Sequence, residues 1–195
     1  MTAYVPGEGE RRILPQTQEV RLPAVITERL LEVPDYQRPY AWVSKQLEDL
    51  WEDLDLLGPN GSHYAGTLVL RDIPGHDGPL TSEEDDGTVL RHVQVVDGQQ
   101  RLTTCLLLLD RVRRRLESLA EGGHPDAETM AQSLRRRYGM ATIGGVTLPR
   151  LRLGKELNEY WTSVILSNET YVGPPLIGGQ RRLRDAAIFF DGKLA

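Results

Sequence analysis

The sequence predicts an α+β fold, a small sheet with packed helices followed by a mainly helical C-terminal part. Three observations carry that expectation. Two strand-like runs, Tyr64–Arg71 and Leu90–Val96, flank a polar loop rich in Gly, Pro, Asp and Glu. A leucine-rich stretch from about 102 to 119 follows the second run at once and reads as a helix, buried on all sides through Leu106–Leu109. Helical periodicity then dominates the remainder of the chain.

Taken in order, residues 1–22 lack periodicity and read as an N-terminal arm, with 23–121 as a core and 122–195 as a helical extension. Ala24–Val33 is expected to be a short helix entering a strand. Pro34 and Pro39 bracket Asp35-Tyr36-Gln37-Arg38 and force it to be extended or turn-like. Ser44 is the expected N-cap of a helix carrying Leu47, Leu50, Trp51, Leu54 and Leu57 on one face. The glycines and proline of 58–61 end it. Residues 72–88 are too long for a tight hairpin and read as a mobile loop, in which the Glu83–Asp86 acids serve solvation. A helix at about 126–138 has Asp126 as candidate cap, and Val146–Leu153 alternates around Pro149 as an edge strand. Lys155–Leu166 and 181–190 are helical in pattern, and the last is expected to continue in a longer chain.

The composition is that of a globular protein, 39% hydrophobic and 26% charged over 195 residues. No apolar run approaches the ~20 residues of a membrane span, and residues 1–15 carry Glu8, Glu10, Arg11 and Arg12 rather than a secretory core. Cys105 is the only cysteine, which excludes an intrachain disulfide and suits a reducing cytoplasm. His63, His76, His92 and His124 lack ligand spacing, so a zinc site is not expected. Residues 1–100 hold 8 basic and 18 acidic side chains, whereas residues 101–195 hold 15 and 10. The later basic residues are nearly all arginine, at 111, 113–115, 135–137, 181, 182 and 184. Arginine forks suit a polyanion, but the plainer reading of these clusters is a solvated helix surface beside acids.

Chemistry concentrates in Asp97-Gly98-Gln99-Gln100-Arg101, between the second strand and the leucine-rich helix. A helix N-terminus offers unpaired N–H groups and a positive dipole end, a natural seat for an anion. Asp97 is suited to hold a metal ion or orient water. Gly98 permits close backbone approach. Gln99 and Gln100 are suited to contact phosphate oxygens or place water, and Arg101 to neutralise ligand charge. The competing reading is a structural Asp-Gly turn with Arg101 paired to an acid. The second candidate is Asp35-Tyr36-Gln37-Arg38-Pro39-Tyr40-Ala41-Trp42, whose aromatics, amide and arginine suit stacking on or cradling a nucleotide or DNA backbone. Tyr40 and Trp42 serve equally well as an aromatic cap on the core.

Together with Leu50–Leu54 and Tyr64–Leu70, these two motifs make the chain resemble the N-terminal domain of GmrSD-type, modification-dependent restriction endonucleases, from about residue 24 to 120. The resemblance implies a ParB/sulfiredoxin-like core that binds and hydrolyses nucleoside triphosphates, ATP or GTP, with magnesium. It carries a catalytic role over to Asp97, Gln99, Gln100 and Arg101, with Asp97 also the metal ligand. Nucleotide binding falls to Gly98, Gln37, Arg38, Thr103 and Thr104. It implies antiphage defence, modified DNA as partner, and a C-terminal His-Asn-His nuclease domain of the full-length protein, a motif this chain lacks. A phosphorothioate-sensing, Ssp-type effector is the most specific expectation. Sulfur in place of a phosphate oxygen is soft and apolar, and Tyr36, Gln37, Arg38, Pro39, Tyr40 and Trp42 offer aromatic surface beside an arginine to sense it. The alternative is a non-hydrolysing, ParB-like DNA-binding module switched by nucleotide. A nuclease active within this chain is a third reading, disfavoured by the lack of a clear metal-ligand cluster.

Overall fold

A computed structural model describes residues 19–58 and 61–195. The arm expected at 1–22 therefore lies largely outside the described residues, as do positions 59 and 60 of the helix-ending turn. The elements are α1 (Leu22–Thr27), β1 (Arg29–Glu32), α2 (Ser44–Asp55), β2 (Val69–Asp72), β3 (Thr81–Glu83), β4 (Val89–Asp97) and α3 (Gln99–Glu121). Then follow α4 (Ala127–Leu134), β5 (Met140–Ile143), β6 (Val146–Pro149), β7 (Leu151–Arg152), α5 (Lys155–Glu159) and α6 (Gly178–Lys193). Two π-helical stretches, Arg135–Gly139 and Tyr160–Leu166, prolong α4 and α5. The fold is α+β, as expected.

The sheet runs β2-β4-β1-β7, with β3 also paired to β4. β1 is parallel to both β4 and β7, whereas β2 and β3 are antiparallel to β4. β5 and β6 form a separate hairpin. β4 is the organising strand, burying Leu90, Val93 and Val95. It leads directly into α3, whose Leu102, Leu106 and Leu107 are buried in the main core with Val93 and Val95. Residues expected as a C-terminal extension enter the same core. Trp161 and Phe190 are fully buried in it, and Trp161 Nε1 donates to the Leu151 carbonyl at 3.0 Å.

Several sequence expectations change. The Tyr64–Arg71 run is a strand only from Val69, because Gly66 takes a left-handed φ of 87° and breaks the extension. The N-cap of α2 is Val43 rather than Ser44, and the Val43 N–H is received by Gln46 Oε1 at 3.0 Å. Asp126 occupies the N-cap position of α4 without a side-chain capping bond. The alternation around Pro149 splits between β6 and β7, and only β7 joins the main sheet, at its edge. β3, inside the expected 72–88 loop, and β5 were not anticipated, and the final helix starts at Gly178 rather than 181.

The acidic loop is not merely solvated. Glu84 is buried, and its Oε1 and Oε2 accept from Arg150 Nη2 at 2.8 and 2.6 Å. The Asp85 N–H donates to the Thr142 carbonyl at 2.9 Å, docking the loop on β5. The arginines of α3 also differ from the solvated surface expected. Arg111 and Arg113 are buried around Asp110, and with Arg114 they donate to the carbonyls of Val164, Ile165 and Leu166. Three cations thus meet the negative end of the α5 extension.

Candidate functional site

β1, β4 and β7 are mutually parallel neighbours and end on one side of the sheet. The crevice beyond the carboxyl ends of parallel strands is where open sheets place ligands. Here it is a cleft of about 280 Å³. Val33 and Asp35 follow β1, Gln99 and Gln100 follow β4, and Leu153 to Leu157 follow β7, and all line it. The volume lies near the lower end of the range for ligand sites, about 300–1,000 Å³.

Two glutamines close one wall of this cleft by gripping main chain. Gln100 Oε1 accepts the Ala41 N–H at 2.8 Å, and its Nε2 donates to the Pro39 carbonyl at 3.1 Å. Gln99 Nε2 donates to the Arg38 carbonyl at 3.1 Å and to Gln37 Oε1 at 3.2 Å. Gln37 Nε2 in turn donates to the Val96 carbonyl at 2.8 Å. The irregular chain from Arg38 to Ala41 has backbone groups without ladder partners, and these amides satisfy three of them. The Tyr36–Trp42 segment is thereby fastened to the β4–α3 junction. Tyr40 is buried behind it, with its hydroxyl 2.8 Å from Thr104 Oγ1. Thr104 Oγ1 donates to the Gln100 carbonyl, so Tyr40 is the donor of that pair. Burial pushes the Tyr40 phenol well above its ordinary range, so it stays neutral.

On the other side of the same turn, Gly98 adopts φ 85° at the N-cap of α3. A side chain there would overlap Leu68 and the Thr67 carbonyl, and one at Gly66 would overlap the Arg101 guanidinium. This close approach is what places the Tyr64–Leu68 segment against the Asp97–Arg101 turn. The first i→i−4 bond of α3 is Leu102 N–H to the Gly98 carbonyl at 3.0 Å, and no side chain caps the N–H groups before it. Among the described residues Arg101 and Arg38 have no carboxylate partner. Asp97 is exposed at the end of β4, opposite Val69.

The cleft gathers Gln37, Arg38, Pro39, Tyr40, Gln99, Gln100 and Thr103 from the residues singled out in the sequence. Asp97, Gly98, Arg101, Thr104, Tyr36 and Trp42 stand outside its lining. Thr104 is fully buried, with its hydroxyl engaged on both sides, and Tyr40 is a pillar with only 5% exposure. Trp42 packs partly buried against the core, whereas Tyr36 is 69% exposed and free to meet a partner. Asp35, which opens the second candidate segment, also lines the cleft, whereas sequence reasoning missed Lys155 and Glu156. Asp35 Oδ1 accepts the Lys155 N–H at 2.8 Å, joining the two walls across 120 positions of chain.

No group of three His, Cys, Asp or Glu side chains gathers as a metal site among the described residues. Magnesium arriving with phosphates needs only one or two protein carboxylates, and Asp97 beside the uncapped start of α3 fits that requirement. Cys105 has its thiol pushed up to about 11 by burial, which suits packing rather than nucleophilic chemistry. No described helix is long and apolar enough to cross a membrane.

No curated protein matches the chain. Residues 23–173 match the family described as GmrSD restriction endonuclease, N-terminal domain. The match spans both motifs, all seven strands and the β7–α5 turn that completes the cleft. The chain therefore belongs to the GmrSD restriction endonuclease N-terminal domain family and is a restriction endonuclease domain of phage defence.

Proposed function

We propose that this domain is the nucleoside-triphosphate-hydrolysing sensor of a modification-dependent restriction endonuclease, acting in the cytoplasm, with DNA cleavage assigned to a C-terminal nuclease domain of the full-length protein. The observation that carries this reading is the start of α3. Its opening N–H groups have no side-chain cap, and two arginines without carboxylate partners come from the segments that meet there, Arg38 in the docked segment and Arg101 in the first turn, whose guanidinium lies against Gly66. Backbone donors, a positive helix end and two arginines together suit a polyphosphate. Bound magnesium would neutralise phosphate charge, held from the protein by Asp97. Arg101 would stabilise charge developing on the transferred phosphoryl group. Exposed Tyr36 and Arg38 form the face offered to modified DNA, phosphorothioate DNA being the most specific candidate, so DNA contact and phosphate binding share one segment.

The test is phosphate release by this chain from ATP and GTP with magnesium. Asp97→Ala is expected to abolish release while leaving the melting temperature unchanged. Unchanged turnover in that variant removes the catalytic assignment.

A second reading has its own support. The amides of Gln99 and Gln100 grip main chain rather than stand free for a reacting phosphate, and Asp97 lies outside the cleft. Both facts suit a ParB-like module that binds triphosphate as a conformational switch. Such a module retains nucleotide but liberates no phosphate over many equivalents.

A further inference from the structure

Thr103 lines the cleft, is 2% exposed, and makes no side-chain hydrogen bond among the described residues. A helical threonine commonly bonds the carbonyl four residues back, as neighbouring Thr104 does to Gln100 at 2.8 Å. Gln99 is 7% exposed, and its Nε2 is doubly engaged while its Oε1 accepts nothing among the described residues. Neither atom is sealed in the interior: the sealed, unpartnered side-chain atoms among the described residues are Arg111 Nε and Thr162 Oγ1. Positions 99 and 103 are one helical turn apart and share a face. The cleft therefore presents one acceptor and one hydroxyl without protein partners, both open to a ligand that enters it.

Val33, Leu153 and Leu157 give the cleft apolar lining, while the exposed cations Arg38 and Lys155, which have no ion-pair partner among the described residues, share its rim with the exposed carboxylates Asp35 and Glu156. An apolar slot with two unpartnered polar atoms inside and two unpaired cations at its rim suits a nucleoside phosphate inserted base first, its magnesium offsetting the nearby carboxylates. We propose that the cleft takes the nucleoside end of the triphosphate, with Gln99 Oε1 accepting a base N–H, Thr103 Oγ1 donating to the base edge, and Lys155 joining Arg38 on the phosphates. The inference rests on the triphosphate reading above and adds where the base sits. Lys155, from a turn that no motif marks, becomes a ligand-binding residue.

Thr103→Val keeps the shape of the side chain and removes the hydroxyl, while Thr103→Ser restores it. Calorimetric titration of this chain and both variants with ATP, GTP, CTP, UTP and inorganic tripolyphosphate provides the test. The expected result is that T103V binds its preferred nucleotide about three- to tenfold more weakly, that T103S keeps wild-type affinity, and that all three proteins bind tripolyphosphate equally. T103V is expected to melt no lower than wild type, because the lost hydroxyl had no protein partner. Equal nucleotide affinity in wild type and T103V overturns this placement and leaves the triphosphate reading standing. A parallel loss of tripolyphosphate binding overturns the placement too. Wild-type protein that binds none of the four nucleotides overturns both.

Discussion

At the scale of single residues, Gly98 ties the backbone of the motif to its neighbours. Its φ of 85° lies in the left-handed region, and any side chain would meet Leu68 and the Thr67 carbonyl. Gly98→Ala is expected to cost about 1–3 kcal/mol from backbone strain alone, with the overlap added to that. A thermal melt reads the loss as a drop of several degrees, and a wild-type melting temperature contradicts the tight packing. The glycine and the arginine of this motif were legible as a turn in the sequence. The partners that make them necessary were not, because Gly66 and Leu68 come from a segment whose distance in sequence hides its contact with α3. Tyr40 shows the same limit from the other direction. Aromatic character made it equally a stacking surface or a core residue, and only its hydrogen bond with Thr104 and its burial decide for the core.

At the scale of elements, the central device is the grip of α3 on the Tyr36–Trp42 segment. Gln100→Leu keeps a comparable volume but leaves the Ala41 N–H and the Pro39 carbonyl without partners. Loss of such buried pairings costs about 1–3 kcal/mol for each group left unsatisfied. The expected outcome is a destabilised protein whose Tyr36–Trp42 amides exchange hydrogen faster than those of α3. Uniformly unchanged exchange argues that the segment is held by other contacts. The sequence showed both glutamines as polar residues at a helix start, where amide chemistry and amide clamping look alike. Their role emerges only when the segment some 60 positions earlier is brought beside them. The third wall of the cleft was hidden for a topological reason. β7 is two residues long and inserts parallel to β1, so nothing local announces that Lys155 will stand beside Asp35.

At the scale of the molecule, one core joins the motif-bearing first half to the helices that follow. The α3 arginines receive the carboxyl end of the α5 extension, and Arg150 reaches the acidic loop, the Arg136 carbonyl and the Thr27 carbonyl. Glu84→Gln leaves Arg150 buried with its charge uncompensated, which is expected to cost about 3–5 kcal/mol. Denaturant unfolding checks this, and a change below 1 kcal/mol shows the pair to be better solvated than its burial indicates. The sequence made the α+β class, the order of most elements and the position of the chemistry readable through periodicity and turn residues. It left the ion pairs unread, since a run of four acids or three arginines looks solvated until its partners are known.

Turnover at the start of α3 is the property on which the proposed function rests. Phosphate released by this chain from ATP and GTP with magnesium, in wild type and in Asp97→Ala of equal melting temperature, is the decisive measurement. The account predicts many equivalents of phosphate from wild type and none from the variant. Bound triphosphate with no release by wild type, or equal release by both proteins, contradicts it.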